Sequence, residues 1–173
     1  MAMDGLEDAY ERGKAMGVFA ESCVAKYGFT REAQDQFAIA STQRSKKANE
    51  DGSFDWEMAP VTLPGKAGDT VVKWDEQPFK AKLDKIPTLK PAFRPDGAIT
   101  AATSSSISDG AAILILMKES EAKAKGITPI ARIVGHASNA HEPEWFTTAP
   151  VGAIDKLHKK LGWGPENVDL YEI

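Results

Sequence analysis

The fold of this chain is decided by Pro91 to Met117, the stretch PAFRPDGAITAATSSSISDGAAILILM. Between Thr100 and Ala112 the one large side chain is that of Ile107. Small side chains allow a backbone to come close to another backbone or to a slender ligand. The apolar residues 111–117 that follow have the length and composition of a buried strand. The sequence thus predicts a close-approach loop that leads directly into the core of a sheet.

Composition places the chain among globular proteins. Its 173 residues are enough for one large domain or two small ones, and 42% of them are hydrophobic. A formal net charge of −4 gives no support to nucleic-acid binding, which usually needs a basic excess. The longest apolar run is shorter than the about 20 residues of a membrane-spanning helix, and the N-terminus lacks the apolar core of a secretory signal. The single cysteine, Cys23, excludes an intramolecular disulfide and fits a reducing compartment.

Helical periodicity is clear in the first third of the chain. Apolar residues recur on one face between 16 and 27, and Gly28 follows as a helix-ending glycine. Thr30 can cap a second helix, which we expect to end near residue 49. The thin apolar stripe of this second helix consists of Ala33, Phe37, Ala40 and Ala48.

The middle of the chain predicts a hairpin, and its last third predicts a layered core. Strands are expected at 57–63 and 70–74, around a turn rich in proline and glycine, and irregular structure with one short helical turn at 75–97. Further on, strands and helices alternate, which favours an α/β core. Its predicted strands are 111–117, 130–136 and 168–173, and its helices are 118–125 and one that begins at Pro150 and buries Ile154, Leu157 and Leu161.

Several motifs, in a consistent order, resemble those of the thiolases, the enzymes that make or cleave a 3-ketoacyl-CoA bond. Within the opening stretch they are Lys90-Pro91-Ala92-Phe93, Gly97-Ala98-Ile99-Thr100-Ala101 and residues 104–112. Elsewhere they are Met16-Gly17 with Ala20-Glu21, residues 30–38 and residues 169–173. Each match is weak alone, and together they extend over nearly the whole chain.

The resemblance implies an α/β fold, a partial thiolase fold with an α+β loop domain and incomplete pieces of the two βαβαβαββ core halves. Residues 1–15 would end the N-terminal core half, and 16–97 would be the loop domain. Residues 98–126 would be the last strand and helix of the N-terminal half, and 127–173 the start of the C-terminal half. Because the chain would complete neither half, we expect it to be a fragment of a longer protein.

The resemblance also implies a site for coenzyme A along the small-residue strip. The pantetheine arm of CoA has two amides, which need donors and acceptors along a narrow slot. By the family match, Ser105 takes the place of the CoA-contacting serine, and Met16 lies near the acyl end of the substrate. The other residues implied to line the slot are Phe93, Ala101, Ser106 and Ile107. Taken without the family, the serine-rich residues 104–106 indicate a flexible polar loop instead.

Lysines 80, 82 and 85 lie where thiolases often place an arginine for the CoA phosphates. The resemblance therefore implies that Lys80 and Lys82 bind CoA. An ordinary solvated lysine face is the alternative interpretation.

No catalytic residue is assigned within the chain. In thiolases a cysteine thiolate takes the acyl group from acyl-CoA and a second cysteine moves the proton. The resemblance places the first cysteine before residue 1, and the second cysteine, a histidine and an oxyanion-hole asparagine after residue 173. Cys23 lies on an apolar helix face and is expected to be structural. His136, His141 and His158 lack the spacing of a metal site, so no metal is expected.

The function implied is that of a segment of an acetyl-CoA acetyltransferase, inactive alone, that supplies part of the CoA-binding loop and the assembly domain. CoA and acyl-CoA would be substrates, with no covalently bound cofactor, in lipid and fatty acid metabolism. The complete protein would be an intracellular homodimer or homotetramer, whose compartment (cytosol, mitochondrion or peroxisome) is left open. The hairpin between Trp56 and Trp74 could pack at an interface or stay exposed. The alternative function is a non-catalytic thiolase-like protein that binds lipid or CoA or acts as a scaffold.

Overall fold

The computed structural model describes residues 5–173, which form two compact units. The first unit ends at Ser106 and the second begins at Ile107. Elements of the first unit are α1 (Met16–Tyr27), α2 (Arg31–Glu50), β1 (Val61–Leu63), β2 (Thr70–Val72), α3 (Gln77–Lys80) and a 3₁₀ turn (Leu83–Thr88). Those of the second unit are α4 (Glu119–Ala124), a 3₁₀ turn (Pro143–Thr148), α5 (Ala149–Leu161) and a 3₁₀ turn (Pro165–Asn167).

Helices α1 and α2 begin and end where the sequence predicts. Gly28 adopts the left-handed conformation, with φ of 67°, and its N–H donates to the Val24 carbonyl. Thr30 caps α2 because its Oγ1 accepts a hydrogen bond of 3.1 Å from the N–H of Ala33. These local signals place two long helices next to each other in the sequence.

The buried face of α2 differs from the predicted apolar stripe. Phe37 is 76% exposed, whereas Asp35, Ala38 and Asn49 are buried. The apolar stripe is therefore wrong at Phe37 and at Ala33, which is exposed as well, whereas Ala40 and Ala48 are half-buried. The reason is that the polar residues of the opposite face find partners inside the first unit, and a buried polar group with partners loses little on leaving water.

Arg31 provides those partners at the start of α2. Its Nε donates to both carboxylate oxygens of Asp35, and its Nη2 donates to the carbonyls of Ile86 and Leu89 at 3.2 and 2.8 Å. One guanidinium thus connects α2 to the 3₁₀ turn (Leu83–Thr88). Ile86, which is buried, is held against α2 by this contact.

The predicted hairpin is present and shorter than expected. Val61 pairs with Val72 and Leu63 with Thr70 in an antiparallel ladder, and every residue of both strands is exposed. Beyond β2 the chain is fastened to the end of α2, where the Asp75 N–H donates to Asn49 Oδ1 at 3.3 Å. The hairpin therefore extends from an anchored base.

The predicted strands of the last third are not formed in the described residues. No strand is assigned within 111–117, 130–136 or 168–173, and Ile113 is 91% exposed. The expectation that 111–117 is buried is thus wrong for this chain. A parallel core strand needs hydrogen-bonded neighbours and cover on both faces, and residues 5–173 supply neither to this segment.

Helices of the second unit agree with the prediction. Helix α4 lies within 118–125 and is followed by Gly126 with φ of 66°. Pro150 lies in the first turn of α5, which ends at Leu161 and is followed by Gly162 as its cap. The expected buried residues of α5, Ile154, Leu157 and Leu161, are half-buried.

Side chains of α5 hold the segment that precedes it. Lys156 donates to the Ser138 carbonyl at 3.1 Å and to Asn139 Oδ1 at 2.7 Å. Asn139 in turn donates to the Ala149 carbonyl, and Gly152 leaves room for its amide. None of the helices that residues 5–173 form has both the length and the hydropathy of a bilayer-spanning segment.

Candidate functional site

A buried carboxylate on α1 holds the start of the small-residue strip. Glu21 is 5% exposed, and its Oε1 accepts hydrogen bonds from the N–H groups of Ala98 and Ile99 at 3.1 and 2.9 Å. Its Oε2 accepts a second bond from Ala98 at 3.0 Å. Gly97 permits this approach, because a Cβ atom at that position would overlap the carboxylate. The backbone that enters the strip is thereby fixed to α1.

Phe93 packs against the first turn of the same helix. Its ring lies over Gly17, where a Cβ atom would overlap the ring carbons. The loop between Phe93 and the strip is closed by a hydrogen bond of 2.8 Å from the Ala92 N–H to the Ile99 carbonyl. Of the predicted CoA-binding residues, the structure thus brings Phe93 next to the residue that follows Met16.

Beyond Ile99 the strip folds into a tight turn around Thr100, which is fully buried. The Thr100 N–H donates to Thr103 Oγ1 at 2.8 Å, and the Ser104 hydroxyl donates to the Thr100 carbonyl at 2.7 Å. Ala101 is exposed at this turn. The hydroxyls of Thr103 and Ser104 are therefore used to fold the strip.

The Ser105 hydroxyl, unlike those of Thr103 and Ser104, is not used to fold the strip. Ser105 is exposed, and its hydroxyl forms no hydrogen bond with another residue of the described part of the chain. Ser105 lines an open groove of about 390 Å³ between α2 and the strip, within the roughly 300–1,000 Å³ of ordinary ligand sites. The groove is lined by Gln34, Phe37, Ala38, Ser41, Thr42, Ala102, Thr103, Ser104 and Ser105.

Several hydroxyls and an amide therefore face one exposed aromatic ring, that of Phe37. The Gln34 amide and the Thr42 hydroxyl already donate to backbone carbonyls of α2 or its cap. Among residues 5–173, the Ser41 and Ser105 hydroxyls are therefore the polar groups left for a ligand, whose methylene groups could lie against the Phe37 ring.

The two predicted lysines lie on the surface. Lys80 is at the end of α3 and forms an ion pair of 2.6 Å with Glu76. Lys82 is exposed just before the 3₁₀ turn (Leu83–Thr88), and the neighbouring Lys85 lies 3.5 Å from Asp84. Both are accessible cations, but a phosphate at Lys80 would compete with a carboxylate.

The remaining predicted residues lie at the junction of the two units. Ser106 is the last residue of the first unit and is exposed. Ile107 is the first residue of the second unit and is 65% exposed.

Cys23 is half-buried on α1 in the first unit, and the three histidines belong to the second unit. His141 Nε2 is hydrogen-bonded to the Trp145 carbonyl, and His158 Nε2 to the Tyr171 hydroxyl at 3.1 Å. Within residues 5–173 no three histidine, cysteine, aspartate or glutamate side chains converge as a metal cluster. The expectation of no metal stays a prediction.

Sequence reasoning missed the groove wall on α2 and the role of Glu21. The groove wall had a detectable signal: a polar amide at Gln34 is followed by small or hydroxyl residues at 38, 41 and 42, all on one helical face. Glu21 belongs to a motif that resembles the family, but nothing in the sequence indicated its hydrogen bonds, because its partners lie 77 and 78 residues away.

Comparison with known proteins gives one consistent result. Residues 1–120 match the family model described as thiolase, N-terminal domain. A probable acetyl-CoA acetyltransferase of Dictyostelium discoideum is 47% identical over 174 residues, which cover 100% of this chain and 42% of the relative. The acetyl-CoA acetyltransferase of Thiocystis violacea is 44% identical, over 99% of this chain and 44% of its own length.

Solved structures agree. The crystal structure of the Bacillus anthracis acetyl-CoA acetyltransferase superposes with a TM-score of 0.89 and 40% identity, over 95% of this chain and 42% of that protein. The human mitochondrial 3-ketoacyl-CoA thiolase superposes with a TM-score of 0.82 and 34% identity, over 95% of this chain and 42% of that protein. The chain thus spans less than half the length of these relatives.

Proposed function

The chain belongs to the thiolase family and has part of the thiolase fold, and from this premise we propose that the complete protein is an acetyl-CoA acetyltransferase. It transfers an acyl group between acyl-CoA and CoA through an acylated cysteine. The relatives that support this proposal carry the name acetyl-CoA acetyltransferase, and each is more than twice as long as the segment they share with this chain. The nucleophile and the proton-transfer groups of the proposed reaction lie outside these residues.

The task of this segment is to hold CoA. The observation that carries the proposal is the exposed hydroxyl of Ser105, which lines the groove without a hydrogen-bond partner among residues 5–173, next to the engaged hydroxyls of Thr103 and Ser104. A hydroxyl both donates and accepts, so Ser105 can bind an amide of the pantetheine arm. Ala101 and Ser106 are small enough to let the arm pass, and Ile107 gives it apolar contact.

Phe93 and Met16 serve the end of the arm that carries the thioester. Two observations support this: Met16 is the first residue of α1, and the Phe93 ring packs over the next residue, Gly17. Lys80 and Lys82 bind the phosphates of CoA at the surface, where the Lys80–Glu76 ion pair has to open. Since such exposed pairs contribute about 0–1 kcal/mol, opening it costs little.

The protein assembles as a homodimer or homotetramer and acts in lipid and fatty acid metabolism. The exposed hairpin of β1 and β2, with Trp56 and Trp74 flanking it, is the surface we assign to assembly. CoA and acyl-CoA are substrates, and no covalently bound cofactor is required for this chemistry.

Steady-state thiolysis of acetoacetyl-CoA by the complete protein tests the proposal. The wild type is expected to turn over, and Ser105→Ala to raise the KM for CoA about fivefold, because one hydrogen bond is worth about 1 kcal/mol. The exposed Ser120→Ala in α4 is the matched control and should leave the KM unchanged. CoA binding without turnover would favour the non-catalytic alternative, and an unchanged KM in Ser105→Ala would remove Ser105 from the site.

A further inference from the structure

Helix α1 offers one face to the segment that leads into the strip. Gly17 and Glu21 are four residues apart and so lie one above the other on that face. Gly17 receives the ring of Phe93, and Glu21 receives the N–H groups of Ala98 and Ile99. Both ends of the loop 93–99 are thus seated on the same helical turn.

The Glu21 contact is unusual in its chemistry. The carboxylate is buried, and the partners it has within residues 5–173 are backbone N–H groups, with no lysine or arginine ion pair to it in this part of the chain. A buried charge is costly unless hydrogen bonds compensate it. Three hydrogen bonds of 2.9 to 3.1 Å compensate the burial of Glu21, and hydrogen bonds of this length are directional. This contact therefore fixes the position and direction of two consecutive peptide groups more tightly than apolar packing would.

The position of those peptide groups is passed on to Ser105. Thr100 follows Ile99 directly, and the turn that starts at Thr100 is closed by the bonds from its N–H to Thr103 and from Ser104 to its carbonyl. A further bond joins the Thr103 N–H to the Thr100 carbonyl at 3.2 Å. Residues 98–104 therefore move together, and a displacement at Ala98 displaces the groove wall that ends at Ser105.

We propose that Glu21 is a positioning residue for CoA binding. By holding the backbone of Ala98 and Ile99 against α1, it sets the position of the strip and hence that of the Ser105 hydroxyl in the groove. This assignment rests on the proposed function. Glu21 does not touch CoA, and it has no part in the acyl transfer. Its loss should therefore weaken CoA binding and leave the chemical step alone.

Steady-state kinetics of the complete protein test this with two substitutions at Glu21 and a control. Glu21→Ala removes both acceptors and is expected to raise the KM for CoA roughly tenfold, with kcat within about twofold. Glu21→Gln keeps one oxygen, and since Oε1 alone accepts from both Ala98 and Ile99, it should restore most of the affinity. Glu57→Gln, at an exposed carboxylate of the same unit, should leave both constants unchanged.

Gly97→Ala approaches the same contact from the other side, because its methyl group would overlap the Glu21 carboxylate. It is expected to raise the KM for CoA as well. Combined with Glu21→Ala, it should add less in free energy than it does alone, since the overlap with the carboxylate is then gone and only an approach of 3.1 Å to the Arg94 carbonyl remains. If Glu21→Ala fails to fold, Gly97→Ala compared with the wild type still tests the assignment.

The outcomes separate the two proposals. A wild-type protein that neither turns over acetoacetyl-CoA nor binds CoA overturns the proposed function, and the assignment of Glu21 with it. A wild type that turns over, with an unchanged KM for CoA in folded Glu21→Ala or Gly97→Ala, overturns the assignment alone. The assignment of Glu21 is also overturned if the variants keep the KM of the wild type and lose kcat only in proportion to the fraction of protein that is folded. A purely structural role of Glu21 predicts that result.

Discussion

Arg31 and Asp35, one turn apart on α2, form an ion pair in which Nε lies 3.0 and 2.9 Å from the two carboxylate oxygens. Asp35 is buried, while the Arg31 side chain keeps 27% exposure. Arg31 Nη2 donates to the backbone carbonyls of Ile86, within the 3₁₀ turn (Leu83–Thr88), and of Leu89, directly after it. A single side chain thus orients α2 and joins it to a segment more than 50 residues further along the chain.

Arg31→Lys should destabilise the first unit, although it conserves the charge. Lysine has no planar fork and cannot bind Asp35 and two carbonyls together. Loss of the carbonyl bonds is expected to cost about 2 kcal/mol. Urea unfolding followed by tryptophan fluorescence would measure it. Arg44→Lys, at an exposed site on the same helix, should change the unfolding free energy little, and equal stability of the two variants would contradict the role given to Arg31.

Gly17→Ala tests the close packing of Phe93 on α1. The added methyl group would overlap the ring, and overpacking of this kind costs about 1–3 kcal/mol. Thermal unfolding should therefore begin at a lower temperature. Gly110→Ala is a suitable control because a Cβ atom there has nothing within 4 Å. If both variants unfold at the same temperature, Phe93 does not lie where the structure places it.

Asp51, which follows the end of α2, should titrate at unusually low pH. Its hydrogen bonds with Lys47 and with Ser53 lower the pKa of its carboxyl from 3.8 to about 2. Because the folded pKa is lower than the unfolded one, this contact stabilises the fold above pH 3.8 and is lost as the pH falls toward about 2.

Carbon-13 chemical shifts of the Asp51 carboxyl against pH would measure this titration. Lys47→Gln removes the largest cause and should move the pKa back toward the ordinary value. An Asp51 that titrates normally in the wild type would show that the Lys47 contact is not formed in solution.

The 173-residue chain on its own should bind a hydrophobic dye strongly and should not turn over acetoacetyl-CoA. Residues 113–116 are aliphatic and mostly exposed, and long exposed apolar patches bind dyes and other chains. Ile113→Lys with Ile115→Lys should reduce both dye binding and aggregation, measured by fluorescence and light scattering. Val151→Lys, a single exposed apolar position on α5, should have a much smaller effect. Turnover by the isolated chain would contradict the prediction that the catalytic groups lie elsewhere in the complete protein.

Local signals were sufficient for the helices and the hairpin. Thr30, Gly28 and Pro150 act through their own backbone neighbourhood, so their effects can be predicted from spacing alone. The groove position of Ser105 was not derivable in this way, although the family resemblance pointed to the residue. Its neighbours on α2 are far from it in sequence.

Burial was the part that sequence could not predict. Phe37 is apolar and exposed, while Glu21 is charged and buried, because each depends on partners supplied by distant segments. For residues 111–117 the apolar composition does indicate a core strand, but strand formation requires a neighbouring strand as well as a suitable composition. The predicted domain boundaries at 15, 97 and 126 stay predictions.

The exposure of residues 113–116 also has a thermodynamic consequence. Denaturants act in proportion to the surface that unfolding newly uncovers. Since Ile113 and Leu114 already present 91% and 84% of their surface to water, their release adds almost nothing to the slope of a urea curve. Their amides should exchange with deuterium far faster than those of Ala98 and Ile99, so the isolated chain would unfold with a shallower transition than its length predicts.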